Sequence, residues 1–474
     1  MAPPSGRTPR STLGALRVGA SAVGRAPYGW APAAVLFLVG LVDRVEFNLV
    51  AALLPQLQAE WGFSDTVAGS IPTASAIANG LLAIPAGYLA DRHPRTRTVA
   101  VVVLLWGLLT LGAGLVTAFA AFYALRVLLA AAEAIDNPAS GSLLADYYPP
   151  ESRAAAYGWW RTSAYLGGLG LVLGGVLGEL FGWRAVFVVM SVPGVLVALL
   201  VWRLREPERG YVDRLQASAA PAAPGSTGVS DVTRVGRAPA GPEADAALDL
   251  ADVARVDVPA LRQQVRAVLR IRTLWFTGFG LSVMSLALAG LYYWMPTLMQ
   301  RRFDLGEAAA GGISGLVSLV GVVGGTVVGA RLGQRPRGSL GLAPWRVVIG
   351  GTGILLNGLL MAGALAMPGA AAFSLLVFLS AFFGAFAIPT LTACVADVIP
   401  ARDRGVGFGV LQLAATVGMA IGPLIVGIVS DVTDSLLTGM ACLVPLILVA
   451  GVSALACRPW VERDAAAVLS AARH

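Results

Sequence analysis

The sequence predicts an all-α integral membrane protein of twelve transmembrane helices, arranged as two pseudo-symmetric six-helix bundles. Three observations predict it: a composition too apolar for water, a dozen apolar runs of helix length, and an internal repeat relating the two halves. Of 474 residues, 57% are hydrophobic and 13% charged. Soluble chains carry about 25% charge, so these ionised groups cannot cover a water-facing surface. The composition also excludes disordered, fibrous and disulfide-stapled classes. Cys394, Cys442 and Cys457 are too few and too apolar in context for a framework, and His93 and His474 are the only imidazoles. No Cys/His cluster has ligand spacing, so neither a metal nor a cofactor is expected. Every basic side chain is Arg, and the net charge is +7. The Arg residues sit between apolar blocks and form no stripe, which argues against nucleic acid as a partner.

Crossing the hydrocarbon takes about 20 apolar residues. Such runs fall at roughly 32–56, 67–90, 98–117, 120–144, 157–180, 184–204, 273–299, 308–330, 346–366, 370–394, 405–429 and 435–457. The first is interrupted by Asp43, Arg44 and Glu46. Residues 1–30 are polar and Arg-bearing and lead into a full-length span, so no cleavable signal is read there. Basic residues set the orientation. Arg7, Arg10, Arg17 and Arg25 precede span one, and Arg92, Arg95 and Arg97 follow span two. Arg203, Arg205 and Arg209 follow span six, and Arg331, Arg335 and Arg337 follow span eight. The opposite connections hold only Arg184, Arg301 and Arg302. Both termini are therefore expected in the cytoplasm, with the chain in the inner membrane.

The expected domains are an N-terminal tail (1–30), a first bundle (31–205), a linker (206–272), a second bundle (273–458) and a C-terminal tail (459–474). The linker is rich in Ala, Pro, Gly and Asp and reads as flexible. Its end, with Leu261, Val265, Val268 and Leu269 interleaved by Arg262, Arg266 and Arg270, suits an amphipathic helix on the inner leaflet or a helical connector.

The repeat supports the six-plus-six division. Ala145, Asp146, Pro149, Arg153 and Gly158 recur as Ala396, Asp397, Pro400, Arg404 and Gly409, all at an offset of 251. GYLADRHPR after span two recurs as GARLGQRPR after span eight at an offset of 242, and Pro55 and Pro296 end spans one and seven. Two homologous bundles facing each other are the parallel-repeat plan of a secondary transporter, with the solute site near the midplane.

GYLADRHPR resembles the loop signature between the second and third helices of the major facilitator superfamily, with Pro94 where Gly is commoner. The likeness extends over essentially the whole chain. It implies a conformational latch, here Gly87, Asp91, Arg92 and Arg95 with Asp146, Arg153, Asp397 and Arg404. Gly87 permits close packing, Asp91 can accept from a helix N-terminus or an Arg, and the arginines suit an anionic leaflet. Asp43-Arg44, Arg126, Glu133 and LLADYYPPESRAAAYG look like the Spinster branch. That branch implies export of lysophospholipids and sphingoid phosphates, with proton linkage and with those four residues in coupling and solute handling. Glu46 and the run AIDNPASG depart from the branch pattern.

The intramembrane charges can be read without the family. Each costs about 2.5–3.5 kcal/mol to insert, so five in two helices need a use. Asp43 and Glu46 share a face of span one, and Arg126 and Glu133 share a face of span four. Arg44, about 100° round the helix from Asp43, is not expected to need Asp43 as its partner. Three acids against two permanent cations leave one carboxylate in excess, and an unpaired carboxylate in a dry interior favours its protonated form. Glu133 or Asp43 is the expected proton carrier, with Glu46 in the same network and Arg126 as the switching partner. A static network pinning the two helices is the other reading.

The candidate solute contacts are Arg44, Arg126, Glu133, Asn79, Tyr292, Tyr293 and Trp294, with helix glue and packing as alternatives for the last four. The expected function is proton-coupled, alternating-access transport of an amphipathic lysophospholipid-like solute by a monomer. A proton-driven exporter of drug-like cations and a transporter-derived sensor are the alternatives. No GxSxG or comparable constellation supports an enzyme.

Overall fold

A computed structural model describes residues 28–209, 261–334, 341–400 and 403–471. The N-terminal arginines, most of the linker, and Arg335 and Arg337 lie outside them. So do the side chains of Gly87 and Asp91.

The first half runs α1 (Ala31–Trp61), α2 (Asp65–Arg92), α3 (Arg95–Leu115), α4 (Phe119–Tyr147), α5 (Pro150–Tyr165) and α6 (Gly168–Trp202). Then come α7 (Leu261–Leu269), α8 (Arg272–Phe303) and α9 (Glu307–Leu316), which passes through a π-helical stretch at Val317–Val322 into α10 (Val323–Gly333). The chain ends with α11 (Leu342–Ala366), α12 (Ala370–Gly384), α13 (Ala387–Val398), α14 (Arg404–Thr433), α15 (Leu436–Ala441), α16 (Leu443–Ala456) and α17 (Arg458–Ala471).

Among the described residues, eight helical stretches are long and apolar enough to cross a membrane. One of them, Ala155–Trp202, is 48 residues long and contains two passes. Gly182 interrupts it at φ 75° and ψ 159°, a conformation open to glycine and costly for any residue with a Cβ. Before the break, Gly170, Gly174 and Gly178 climb α1 past Val45, Ala52 and Leu53. After it, Arg184 and Val188 meet Gly114, and Val195 meets Gly107, so the chain descends α3. Helices α1, α2 and α4 span 31, 28 and 29 residues. The charges of α1 and α4 lower their hydropathy without shortening them.

Lipid offers no hydrophobic drive between helices, so small residues and buried polar contacts must join them. The outward faces stay apolar, with Leu108, Val189, Val192, Leu196 and Leu199 exposed. Aromatic groups mark both ends. Tyr28, Trp30, Tyr147 and Tyr148 cluster where α1 begins, and Trp61, Phe63, Phe119, Phe122 and Trp183 where it ends. The first is called the basic end below, the second the distal end.

The expected C-terminal tail is helical and packed. Trp460 stacks on Phe276 at 5.1 Å, and Asp464 accepts from the Thr273 backbone N–H at 3.2 Å. In α7, Val268 is fully buried while Arg262, Arg266 and Arg270 are exposed. Part of its apolar face therefore rests on the second bundle and not on lipid.

Candidate functional site

Helix α1 buries Leu36, Val39, Asp43, Glu46, Leu49, Val50 and Leu53 along one stripe, so its two acids enter the first bundle on a core-facing surface. Two helices, α1 and α4, hold six ionisable groups at mid-depth. Arg126 forks onto Glu46: Nη1 donates to Oε1, Nη2 donates to Oε2 at 3.2 Å, and Thr110 Oγ1 from α3 donates to Oε1 at 3.3 Å. Arg44 Nε pairs with Asp43 Oδ2 at 2.8 Å. This corrects the expectation that these neighbours point apart: the long Arg stem spans the helical rotation between them. The Arg44 side chain keeps 35% of its surface open and Asp43 only 9%. Glu133 sits beside Asp43.

Sequence reasoning missed Asp136. It is buried, accepts from Ser140 Oγ at 2.6 Å, and faces Asp43 and Arg44. Its position three residues beyond Glu133 on the same face was the available signal, inside the very run that departs from the Spinster pattern. The balance is therefore four acids against two arginines, a surplus of two where one was expected. A crevice of about 10 Å³ lies among Asp43, Glu46, Trp106, Thr110 and Glu133.

Three of the other expected solute contacts bond helices to one another. Asn79 Nδ2 donates to the Ala130 carbonyl at 3.2 Å, tying α2 to α4. Tyr293 Oη donates to the Ala68 carbonyl across the bundles at 2.6 Å, and Trp294 Nε1 donates to the Pro423 carbonyl at 2.9 Å. Tyr292 is half-buried and faces Ser318 of the π-helical stretch.

At the basic end the repeat extends to contacts. Arg95 is buried and pairs with Asp146, while Arg346 Nη1 pairs with Asp397 at 2.5 Å. Both partners are displaced by 251 residues. Arg153 Nε donates to the Tyr148 carbonyl at 3.2 Å, and Arg404 Nε donates to the Ile399 carbonyl at 3.3 Å, again displaced by 251. Arg92 lies over the Tyr88 ring at 4.2 Å. These bonds stay within a bundle. Glu206, in the loop after α6, caps α3 by accepting from the Thr96 backbone N–H at 2.7 Å and hydroxyl at 2.8 Å, and from Arg95 at 3.0 Å. Burial pushes its carboxyl up, but these donors outweigh it and hold it below the usual glutamate range.

Contacts between bundles gather at the distal end. Asp431 on α14 accepts from the backbone N–H groups of Asp65 and Thr66, at 3.0 and 2.8 Å, at the start of α2. Glu179 on α6 accepts from the Ala308 N–H at 2.7 Å at the start of α9. Ala308 stands 242 residues after Thr66 and Asp431 stands 252 after Glu179, so the two caps are counterparts. Close approach follows the same symmetry. A Cβ on Gly175 would collide with the Glu307 carbonyl oxygen, and one on Gly427 with the Asp65 carbonyl oxygen. Arg301 Nη1 donates to Asp65 at 2.8 Å, and Thr73 Oγ1 donates to the Ala420 carbonyl at 2.5 Å. The bundles are thus sealed at one end and joined by no comparable bonds at the other among the described residues.

Residues 36–365 match the model of the Major Facilitator Superfamily. Among curated proteins, the Gallate transporter of Pseudomonas putida is 29% identical over 65% of this chain and 67% of its own length. Protein spinster of Drosophila melanogaster is 23% identical over 87% of this chain and 63% of its own. The chain spans 44% of the length of two other early matches, a galactarate/D-glucarate transporter of Bacillus subtilis and a cis,cis-muconate transport protein of Acinetobacter baylyi. A crystal structure of a bacterial homologue of the human lysosomal transporter Spinster, inward-facing and unoccupied, superposes with a TM-score of 0.74. It is 20% identical, over 92% of this chain and 98% of that one.

Proposed function

Because the chain belongs to the Major Facilitator Superfamily, a family of multi-pass membrane transporters, we propose that it carries its solute by alternating access with proton coupling. Twelve passes, two six-helix domains at 31–205 and 273–458, and an inner-membrane location with cytoplasmic termini belong to the same proposal. The observation that carries it is the surplus of two carboxylates in the network of α1 and α4. A surplus carboxylate there can exchange a proton as the site alternates between dry and water-filled. Arg126 is the switching partner, held by Glu46 in this conformation, and Glu133 or Asp43 is the carrier.

The solute we propose is amphipathic, with an anionic or zwitterionic head. Arg44 is the cation of the network left partly open, and guanidinium groups bind phosphate and carboxylate in two-point fashion. The resemblance of the α1 and α4 motifs to the Spinster branch implies a lysophospholipid. The acid surplus favours a second reading, export of an organic cation.

The test is a proteoliposome assay of a lysophospholipid and a cationic drug, each with and without a pH gradient. Glu133→Gln and Asp43→Asn are expected to lose at least about tenfold of the gradient-driven component. Variants that keep full gradient dependence would refute the coupling. Transport of the drug alone would select the second reading.

A further inference from the structure

The crevice between α1, α3, α4 and α6 is lined by Asp43 and Trp106, and each has one buried polar atom, Oδ1 and Nε1, with no hydrogen-bond partner in the protein besides the Glu133 carboxyl beside Asp43. Their residues are 8% and 5% exposed. A buried polar atom without a partner carries a desolvation cost that native proteins relieve with a protein group, water or an ion. One of these atoms only accepts and the other only donates. The crevice volume of about 10 Å³ corresponds to about one water-sized probe. We propose that it binds a single water molecule, which accepts from the Trp106 indole N–H, donates to Asp43 Oδ1, and relays a proton between the Asp43–Glu133 pair and Glu46.

The chemistry favours water over a metal cation. Trp106 lines the crevice, and the N–H edge of an indole carries partial positive charge, which suits a water oxygen and disfavours a cation. Thr110 and Glu46, already bonded to each other at 3.3 Å, complete a polar wall. Met190 and Leu129 are apolar members of the same lining. In the relay, a protonated carboxyl at Glu133 gives its proton to the water oxygen, while the water gives one of its own to Glu46. The water is unchanged, one charge has moved, and Glu46 releases Arg126. The titratable and charged groups facing this path are Asp43, Arg44 and Glu46 on α1 and Arg126, Glu133 and Asp136 on α4. Tyr293 of α8 approaches Arg126, while α3 and α6 contribute no charge to the crevice.

The inference rests on the proton-coupled reading, and two measurements on the full-length chain separate them. A crystal or cryo-EM map near 2 Å is expected to show one density peak within hydrogen-bonding distance of Trp106 Nε1 and Asp43 Oδ1. An empty crevice, or a peak that appears only with sodium and vanishes in choline, overturns the water site. In proteoliposomes, with lysophosphatidylethanolamine and ethidium as probes, Trp106→Phe should reduce gradient-driven transport by about tenfold. Gradient-free exchange should stay at the wild-type rate, and the variant should melt within a few degrees of wild type. Unimpaired coupling in Trp106→Phe alone sinks the relay. Unimpaired coupling in Asp43→Asn and Glu133→Gln sinks the reading beneath it. Should Trp106→Phe fail to fold, the wild-type map decides.

Discussion

Two buried arginines of the first bundle show how the same residue serves different ends. Arg95 is enclosed by acceptors: Asp146, Glu206, the Ser142 hydroxyl at 2.8 Å and the Pro207 carbonyl at 3.0 Å. Its donors are met in one geometry, so it locks α3 to α4 and to the loop after α6. Arg126 instead has one fixed partner, Glu46, with Glu133 in electrostatic reach, and alternatives of comparable energy are what a switch needs. Breaking a buried pair by removing one member costs about 3–5 kcal/mol, so a switch at Arg126 requires that the loss of its pair with Glu46 be compensated as it opens. The Glu206 cap has its own pH signature. Its folded-state value lies below the unfolded one, so its stabilisation is complete above the unfolded glutamate range, about 4.3, and fades as pH falls through the lower folded value. Glu206→Gln should therefore lower the melting temperature by about 1–3 °C at pH 7, allowing for solvent screening. That difference should shrink below about pH 4. A constant difference from pH 7 to pH 3 would show that the charge on Glu206 is not what holds the cap.

At the scale of helices, the distal seal depends on dipoles. The first N–H groups of a helix lack intrahelical partners and carry partial positive charge, and in α2 and α9 the missing acceptors come from the opposite bundle, as Asp431 and Glu179. Each carboxylate satisfies donors only while that end is shut. A helix cap is worth about 0.5–2 kcal/mol, so the pair biases the gate by roughly 1–4 kcal/mol, enough to set which conformation dominates. Glu179→Gln with Asp431→Asn should shift the population toward an open distal end, read as a longer spin-label distance between Phe63 and Leu437 positions by electron–electron resonance. An unchanged distance distribution would show that the remaining contacts, Arg301–Asp65, Thr73–Ala420 and the glycine approaches, hold the seal without the caps. Neither cap was legible in the sequence, because each joins helices whose approach no periodicity encodes. The spans were legible, since about twenty apolar residues is a length constraint that composition records directly. The reversal at Gly182 was legible too, falling between the spans read at 157–180 and 184–204 with Glu179 and Arg184 beside it, although its positive φ was not. Asp136 was overlooked although its spacing from Glu133 was visible, whereas the pairing of Asp43 with Arg44 depended on a side-chain reach that helical angles do not report.

The whole molecule repeats its contacts as well as its residues, and the pattern separates what stays from what moves. Arg95–Asp146 and Arg346–Asp397 lie within bundles, so each six-helix unit can travel as a rigid body with its basic-end clasp intact. The Asp431 and Glu179 caps, the Thr73–Ala420 bond and the glycine contacts run between bundles at or toward the distal end, so they must break for the opposite state to form. The Asp of each clasp, Asp146 and Asp397, was readable in the repeat, but the Arg of the second was not, since the GYLADRHPR match sets Arg95 against Arg337 and the structure uses Arg346. The use of the repeat at the seal was not readable either, since Glu179 and Asp431 differ in residue type. Rocking of the two units around the charge network therefore predicts that a covalent bridge at the seal stops turnover without damaging the fold. Thr73 Oγ1 reaches the Ala420 carbonyl, close enough for introduced cysteines to approach disulfide geometry. Oxidised Thr73→Cys/Ala420→Cys protein should lose at least about tenfold of its transport in proteoliposomes and recover it with a reductant, while its melting temperature stays level or rises. Full transport by the oxidised, demonstrably cross-linked protein would mean that the solute crosses without separation of α2 from α14, and the alternating-access reading would fall with it.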